Sequence, residues 1–248
     1  MQYSYGQFEF VLTETTGATE SECSSVNIQW RKLTEEINSH KGGYLLAVSG
    51  GVDSVFLMEF FRNKCVRPFK VAHFNHKLRA TSDEEEKLLR ERCREIGVIF
   101  IAESGDPQAM RSAPSLEAEA RRQRYEFLHA NLGDNDLVVT AHHANDQLET
   151  VVMRLMRGYP ENSLRMKRLS GRRYKPLLEI PKAEILKQSE NRGLRWIEDE
   201  SNEDVSHERN WVRHKLIPMM MERRNVLKTI GLRSDVDYAE ESAADRNP

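Results

Sequence analysis

The chain has 248 residues, 31% of them charged and 39% hydrophobic, with a formal net charge of −2 at pH 7 and a mean hydropathy of −0.66. That length suffices for one full α/β core; no apolar stretch approaches a membrane span, and the N-terminus lacks the basic-then-apolar order of a secretory leader, so neither is expected. Cys23, Cys65 and Cys93 stand far apart with no C-x-x-C, which argues against a disulfide framework or thiolate cluster and for a reducing, cytoplasmic setting.

The net charge averages unlike regions. Residues 1–25 carry four glutamates and no lysine or arginine, and residues 223–248 balance five basic against five acidic side chains. Between them Arg154–Lys175 holds Arg154, Arg157, Arg165, Lys167, Arg168, Arg172, Arg173 and Lys175 against Glu161 alone. Local charge sets attraction for phosphate, so this segment is expected to meet nucleic acid, a solvated surface run being the alternative.

In chain order, Phe8, Phe10 and Leu12 alternate within Met1–Thr13, as in a short strand or extended arm, and Thr13–Ser25 reads as a linker. Val26–His40 has helical spacing at Ile28, Leu33 and Ile37, before Lys41-Gly42-Gly43 stops it. Tyr44–Val48 is a buried strand and Val55–Phe61 the start of a helix beginning near Asp53. Phe69–His73 is a second strand, and Ser82 with Glu85 makes a capping-box pattern for a helix reaching Ile96. Val98–Ala102 is a third strand. A polar loop through Pro107 and Pro114 leads to Ser115, which caps a helix over Leu116–Asn131. Leu137–Thr140 is a fourth strand and Leu148–Arg157 continues as a helix. Strands alternating with helices imply right-handed crossovers and an α/β, doubly wound, mostly parallel sheet, with a short helical C-terminal part.

Between the first strand and its helix lies Ser49-Gly50-Gly51-Val52-Asp53-Ser54. Without Cβ atoms the glycines let backbone approach an anion, and the helix adds outward-pointing amides and its positive end. A Walker loop is excluded because no lysine follows the glycines. A nucleophile elbow departs only at its first glycine, and a purely structural turn is a third reading. The pyrophosphate loop of ATP pyrophosphatases, S-G-G-x-D-S, agrees at every specified position. Asp53 decides for it, since a carboxylate would repel an oxyanion beside a serine nucleophile but can hold Mg²⁺ beside a triphosphate.

Ligands of doubly wound sheets sit beyond the carboxyl ends of the strands. Ser49–Ser54, His73–Arg79 and His142–Asp146 are therefore expected to converge. His73, His76, His142 and His143 lack zinc-binding spacing. Asp146 pairs naturally with Asp53 as a second carboxylate for Mg²⁺, and Arg121 and Arg124 are candidates to neutralise phosphate or a substrate carboxylate, helix-surface ion pairing being the alternative.

From Tyr44 to Met219 the chain resembles the tRNA(Ile)-lysidine synthetases of the PP-loop superfamily. The resemblance rests on SGGVDS at 49–54, HFNHKLR at 73–79, EAEARRQRY at 117–125, TAHHANDQLET at 140–150, Arg157-Gly158, KPLLEI at 175–180, WIEDESNED at 196–204 and RNWVRH at 209–214. It implies an ATP-dependent ligase that joins free lysine to carbon 2 of the wobble cytidine in the anticodon loop of an isoleucine tRNA, through an adenylated base. Ser49, Gly50, Gly51, Val52, Asp53, Ser54, His73 and His143 would bind the nucleotide. Asp53, Asp146 and Arg121 would be catalytic, with Mg²⁺ on Asp53 and Asp146. Arg157, Arg165, Lys167, Arg168, Arg172, Arg173, Lys175, Arg209, Asn210, Arg213 and His214 would hold tRNA. The implied organisation is an extension at 1–25, an ATP-binding domain at 26–158, a tRNA-contacting segment at 159–222 and a polar tail at 223–248; a homodimer is left open.

The sequence departs from the family after Gly158, where a glycine-rich loop is usual. It has Lys175 where arginine precedes P-L-L, and Glu200 where proline is usual; many members carry further C-terminal tRNA-binding domains. A tRNA thiolase would be expected to use cysteines, and an amidating relative to bring an ammonia-delivering partner. A serine hydrolase would need an oxyanion loop, and a non-catalytic RNA-binding remnant would keep only the basic segment.

Overall fold

β1 (Tyr44–Ala47) is a central strand of a six-stranded sheet ordered β3-β2-β1-β4-β6-β5. The computed structural model describes residues 20–78, 81–197 and 205–223, with side chains from residue 29 onward. The expected arm at Met1–Thr13, Arg79, Glu200 and the C-terminal tail lie outside these residues. β2 (Phe69–Asn75), β3 (Ile99–Ser104), β4 (Leu137–Val139) and β6 (Arg173–Tyr174) each run parallel to their inner neighbour, and β5 (Leu169–Ser170) pairs antiparallel with β6. Leu45 lies between Lys70 of β2 and Val138 of β4.

Successive side chains of β1 enter opposite layers, as the strand period of two requires. Tyr44 and Leu46 pack with Trp30, Leu33 and Ile37 of α1 (Glu20–Ser39), Phe56 and Phe60 of α2 (Val52–Lys64), and Leu89 and Cys93 of α3 (Ser82–Glu95); Ile185 of α7 (Lys182–Asn191) joins them. Leu45 instead meets Met110 of α4 (Pro107–Ser112) and Phe127 and Leu128 of α5 (Leu116–Ala130). Helices thus cover both faces, as the alternation of elements predicts. α2 carries a run from Val55 to Met58 that is buried throughout, so it is a core helix rather than a half-exposed one.

α6 (Ala144–Met156) forms a third cluster through Leu148 and Val152 with Val212. Val212 belongs to a helical run made of α8 (Glu208–Trp211), a π turn (Val212–Leu216) and α9 (Ile217–Arg223). Pro218 has no amide and its ring crowds the carbonyl four residues back, and the widened turn just before it relieves that conflict. Among the described residues no helix is long and apolar enough to cross a membrane.

The structure corrects several boundaries. α1 begins at Glu20, so a division at residue 25 cuts a helix; serine and glutamate carry small helix penalties, and glutamates near the N-terminus favour the dipole. β5 and β6 lie within the basic segment and prolong the sheet, so no layer ends at residue 158. The loop through Pro107 contains α4, whose cap Asp106 accepts hydrogen bonds from the amides of Gln108 and Ala109 at 2.9 and 3.1 Å. Ser82 lies inside α3 rather than capping it. Thr81 precedes the helix and donates its hydroxyl to Glu85 at 2.9 Å.

The chain passes from β1 through β2 to β3 on one side, then returns to β4 on the other. The order therefore reverses between β1 and β4, and the crevice at such a reversal is where ligands of these sheets bind.

Candidate active site

The turn after β1 is built around the Ser54 hydroxyl. It accepts hydrogen bonds from the Ser49 and Gly50 amides, both at 3.2 Å, and donates to the Gly51 carbonyl at 2.9 Å. Two amides of the loop itself thus turn inward, leaving those of the helix start to face outward. The amides of Gly51, Val52 and Asp53, opening α2, have no protein acceptor among the described residues, and Gly51 caps the helix without any side-chain bond. They remain as donors at the positive end of the helix dipole. Gly50 has φ +98°, and a Cβ there would also come within 3.1 Å of Ile197 Cδ1. The Ile197 amide donates to the Gly50 carbonyl at 3.1 Å, which fastens the strand-following turn to a segment far along the chain.

The turn after β4 meets it. His143 caps α6: its Nδ1 accepts from the Asp146 amide at 3.4 Å, while the His143 amide donates to Asp146 Oδ2 at 3.0 Å. With Nδ1 accepting, the neutral ring carries its proton on Nε2. That Nε2 lies 3.6 Å from Asp53 Oδ2 and 3.4 Å from Asp146 Oδ2, so the two carboxylate oxygens are within about 7 Å of each other. Lys182, first residue of α7, places Nζ 2.6 Å from Asp53 Oδ1. Burial alone would raise the Asp53 carboxyl, but the His143 hydrogen bond and the Lys182 ammonium outweigh it and hold it below the ordinary range. Burial also opposes ionisation of Asp146, and His143, His142 and Arg209 overcome it.

A buried acid completes the network. Glu149, only 2% exposed at its side chain, accepts from Arg209 Nε at 2.7 Å and Arg213 Nε at 2.6 Å, and Arg209 Nη2 also donates to Asp146 at 2.8 Å. These arginines, expected to grip tRNA phosphates, thus fasten the 208–223 helical run to the tip of α6; Asn210 and His214 lie on the same run. Glu149 and Lys182 were not singled out from sequence. Glu149 stands three residues after Asp146 on one helix face, and Arg209 and Arg213 share a spacing of four, a pattern of complementary faces. Lys182 lies two residues past the KPLLEI stretch and carried no local signal.

Other expected site residues fall elsewhere. His73 is buried, and its Nδ1 pairs with the Val48 carbonyl at 2.9 Å, tying β2 to β1. Arg121 touches neither aspartate; its guanidinium lies over the Tyr125 ring at 4.8 Å. The basic run divides. Arg157 pairs with Glu208, and Arg168 grips Glu36 with a shortest distance of 2.7 Å. Arg172 donates to the carbonyls of Gly133 and Asp136, and Arg154 to those of Ser163, Leu164 and Arg165. Lys167 accepts at its carbonyl from Lys175 Nζ at 3.3 Å. Arg173 joins Arg121 and Arg124 around Tyr125 instead, and Lys175 lies in the field of Arg173 and Arg121. The basic segment expected to meet nucleic acid therefore includes cations that hold the fold together.

Two carboxylates beside uncapped helix amides suit a magnesium-bound triphosphate, because Mg²⁺ takes one or two protein carboxylates and completes its shell with phosphate oxygens and water. Among the described residues no group of three or more histidine, cysteine or acidic side chains forms a self-contained metal site. Among the described residues the Ser49 hydroxyl meets Ser54 at 3.3 Å and no histidine, so the base that a hydrolase needs is not beside it. Cys93 is buried against Met58, its thiol pushed up to about 11 by burial, so it is a core residue rather than a reactive one.

The family model of the PP-loop domain matches residues 23–220. Proteins named tRNA(Ile)-lysidine synthase are 32% identical in Haemophilus ducreyi, 35% in Alkalilimnicola ehrlichii and 38% in Chlamydia pneumoniae. These matches take in 72%, 73% and 73% of this chain but 42%, 42% and 59% of those proteins, so the chain spans about half the length of the curated relatives it matches. Among solved structures, the U34-tRNA thiolase NcsA from Methanococcus maripaludis superposes with TM-score 0.64 at 16% identity, over 92% of this chain and 82% of that one. NMN synthetase from Francisella tularensis gives TM-score 0.50 at 14% identity, over 68% and 71%; at such identities the likeness speaks for the fold alone. With the glycine turn, the reversed sheet order and a family match through most of its length, the chain belongs to the PP-loop family.

Proposed function

We propose that this protein activates the wobble cytidine of an isoleucine tRNA with ATP and joins lysine to its carbon 2, releasing AMP and pyrophosphate. The observation that carries this reading is the meeting of Asp53 and Asp146 across one histidine nitrogen, at the point where the sheet order reverses. The relatives named tRNA(Ile)-lysidine synthase supply the direction of the inference.

In this reading the Gly51, Val52 and Asp53 amides bind the triphosphate, with Gly50 leaving room for its approach. Asp53 and Asp146 would hold Mg²⁺, which when bound neutralises charge developing on the departing pyrophosphate. Lys182, already within reach of Asp53, lies where its ammonium can transfer from that carboxylate to a phosphate oxygen. His143 keeps the two carboxylates at a set separation. Asp146, held ionised by the cations around it, offers an acceptor for the ammonium of free lysine. The cytosine must leave its stack to reach the crevice, which single-stranded anticodon nucleotides do at low cost.

The test is to incubate the full chain with ATP, Mg²⁺, labelled lysine and total tRNA. Label in tRNA with stoichiometric AMP supports the reading. AMP formed with another acceptor keeps the ATP chemistry and removes the lysine and tRNA assignment; no AMP under any condition ends both.

A further inference from the structure

At the carboxyl end of β6, on the same sheet edge as the β4 turn, three guanidinium groups gather around one tyrosine, with a lysine in their field. Arg121, Arg124 and Arg173 place their guanidinium carbons 4.8, 5.5 and 5.5 Å from the Tyr125 ring centre. Lys175, the residue after β6, sits within the field of Arg173, Arg121 and Arg154. Among the described residues none of the four pairs with a carboxylate: Arg121 also meets the Tyr125 hydroxyl at 3.5 Å, and Lys175 the Lys167 carbonyl. Burial and neighbouring positive charge both favour loss of the Lys175 proton, and burial weakens protonation of Arg124.

Such a set repels itself, and folding alone gives no reason to assemble it. Its members come from α5 and the end of β6, and Tyr125 packs against the second core layer while the guanidinium groups lie over its ring. The cluster also borders the crevice, since the charges of Lys175 and Arg124 reach His142 beside Asp146. The triphosphate has its own donors on α2, so the anion that this second site lacks is a different one.

We infer that Tyr125, Arg121, Arg124, Arg173 and Lys175 form a seat for a phosphodiester of single-stranded RNA, next to the nucleotide that enters the crevice. This rests on the proposed tRNA substrate and names the contact that would hold it. The cations neutralise backbone phosphate, and the guanidinium groups over the tyrosine offer a surface on which an unpaired base can lie.

The probe is a fluorescently labelled RNA hairpin with a single-stranded loop, titrated against the full chain at several KCl concentrations, with ATP affinity measured in parallel. Removing one phosphate contact by Arg173→Gln or Lys175→Gln should flatten the slope of log affinity against log salt by about 0.7. Arg173→Lys should keep the slope. Tyr125→Leu should weaken RNA binding about tenfold while Tyr125→Phe stays close to wild type. ATP affinity should be unchanged throughout. Should Arg173→Gln fail to fold, Lys175→Gln reads the same quantity. RNA binding with an unaltered slope in the glutamine variants would overturn the seat while leaving the proposed function standing. Equal losses for ATP and RNA would reassign the cluster to the triphosphate, overturning it too. A wild-type chain that binds no RNA would remove the seat and the tRNA reading together.

Discussion

Two groups of cations share one edge of the sheet and differ in what they face. In the crevice, Lys182, Arg209 and Arg213 each meet a carboxylate, so the network is balanced and its geometry is set by the protein. Around Tyr125 the guanidinium groups meet an aromatic ring and Lys175 a carbonyl, so positive charge is left over. Basic residues that look alike in sequence thus divide into those that position acids and those that await an anion. The partner of each side chain, rather than the local density of arginine, decides which it is.

The comparison breaks most sharply at Asp53. If the balanced network carries the chemistry, Asp53→Asn lowers AMP formation by at least about a hundredfold, whereas Arg173→Gln leaves turnover at saturating RNA within about threefold. Steady-state rates decide it, and near-normal AMP formation in Asp53→Asn would remove the crevice from the mechanism. Next in size is Glu149→Ala, which leaves Arg209 and Arg213 facing a buried gap. We expect about 3 kcal/mol of lost stability, the low end for breaking a buried pair because both guanidinium groups are partly exposed. Urea unfolding with an unchanged slope and lower midpoint is the expected readout, and an unmoved midpoint contradicts the role given to Glu149.

Gly50→Ala tests the turn, where a side chain must adopt φ +98° and displace Ile197. A loss of about 1–2 kcal/mol is expected, together with weaker nucleotide binding; a Gly50→Ala variant as stable as the parent would mean that the turn adapts freely. The smallest effect is at His142. Its hydroxyl partner Thr140 lies 2.8 Å away, and burial first, then the charges of Lys175, Arg209 and Arg124, lower it from 6.5 to about 4 against the pull of Asp146. The unfolded chain therefore binds this proton more readily than the folded one. The contribution of His142 to stability is complete above pH 6.5 and falls as pH descends towards 4. Asp53 and Asp146, depressed below the ordinary carboxylate range, lose theirs at still lower pH. Melting temperatures of His142→Gln should be flatter between pH 6.5 and 4 than those of wild type; parallel curves would contradict the shift.

Much of the architecture could be read from local pattern. Tyr44–Val48 and the α2 run are apolar enough to name strand and helix, and the alternation through β4 identifies the layered class. β5 and β6 escaped because two residues each cannot display a period. The polar composition of α4 hides it in the sequence, although Asp106-Pro107 carries a cap and a favoured first residue. The N-terminal boundary moved because composition marks where helix is weakly favoured, not where packing extends it.

By itself the sequence determined the glycine turn, the acids at two strand ends and the alternation that brings those ends to one side. These follow from backbone sterics and side-chain periodicity within a few residues. Only the tertiary structure decided that Arg209 and Arg213 serve Glu149, that Lys182 reaches Asp53, and that Arg173 and Lys175 join Arg121 and Arg124. A charge acts on whatever lies within a few ångströms of it, and those neighbours come from segments far apart along the chain.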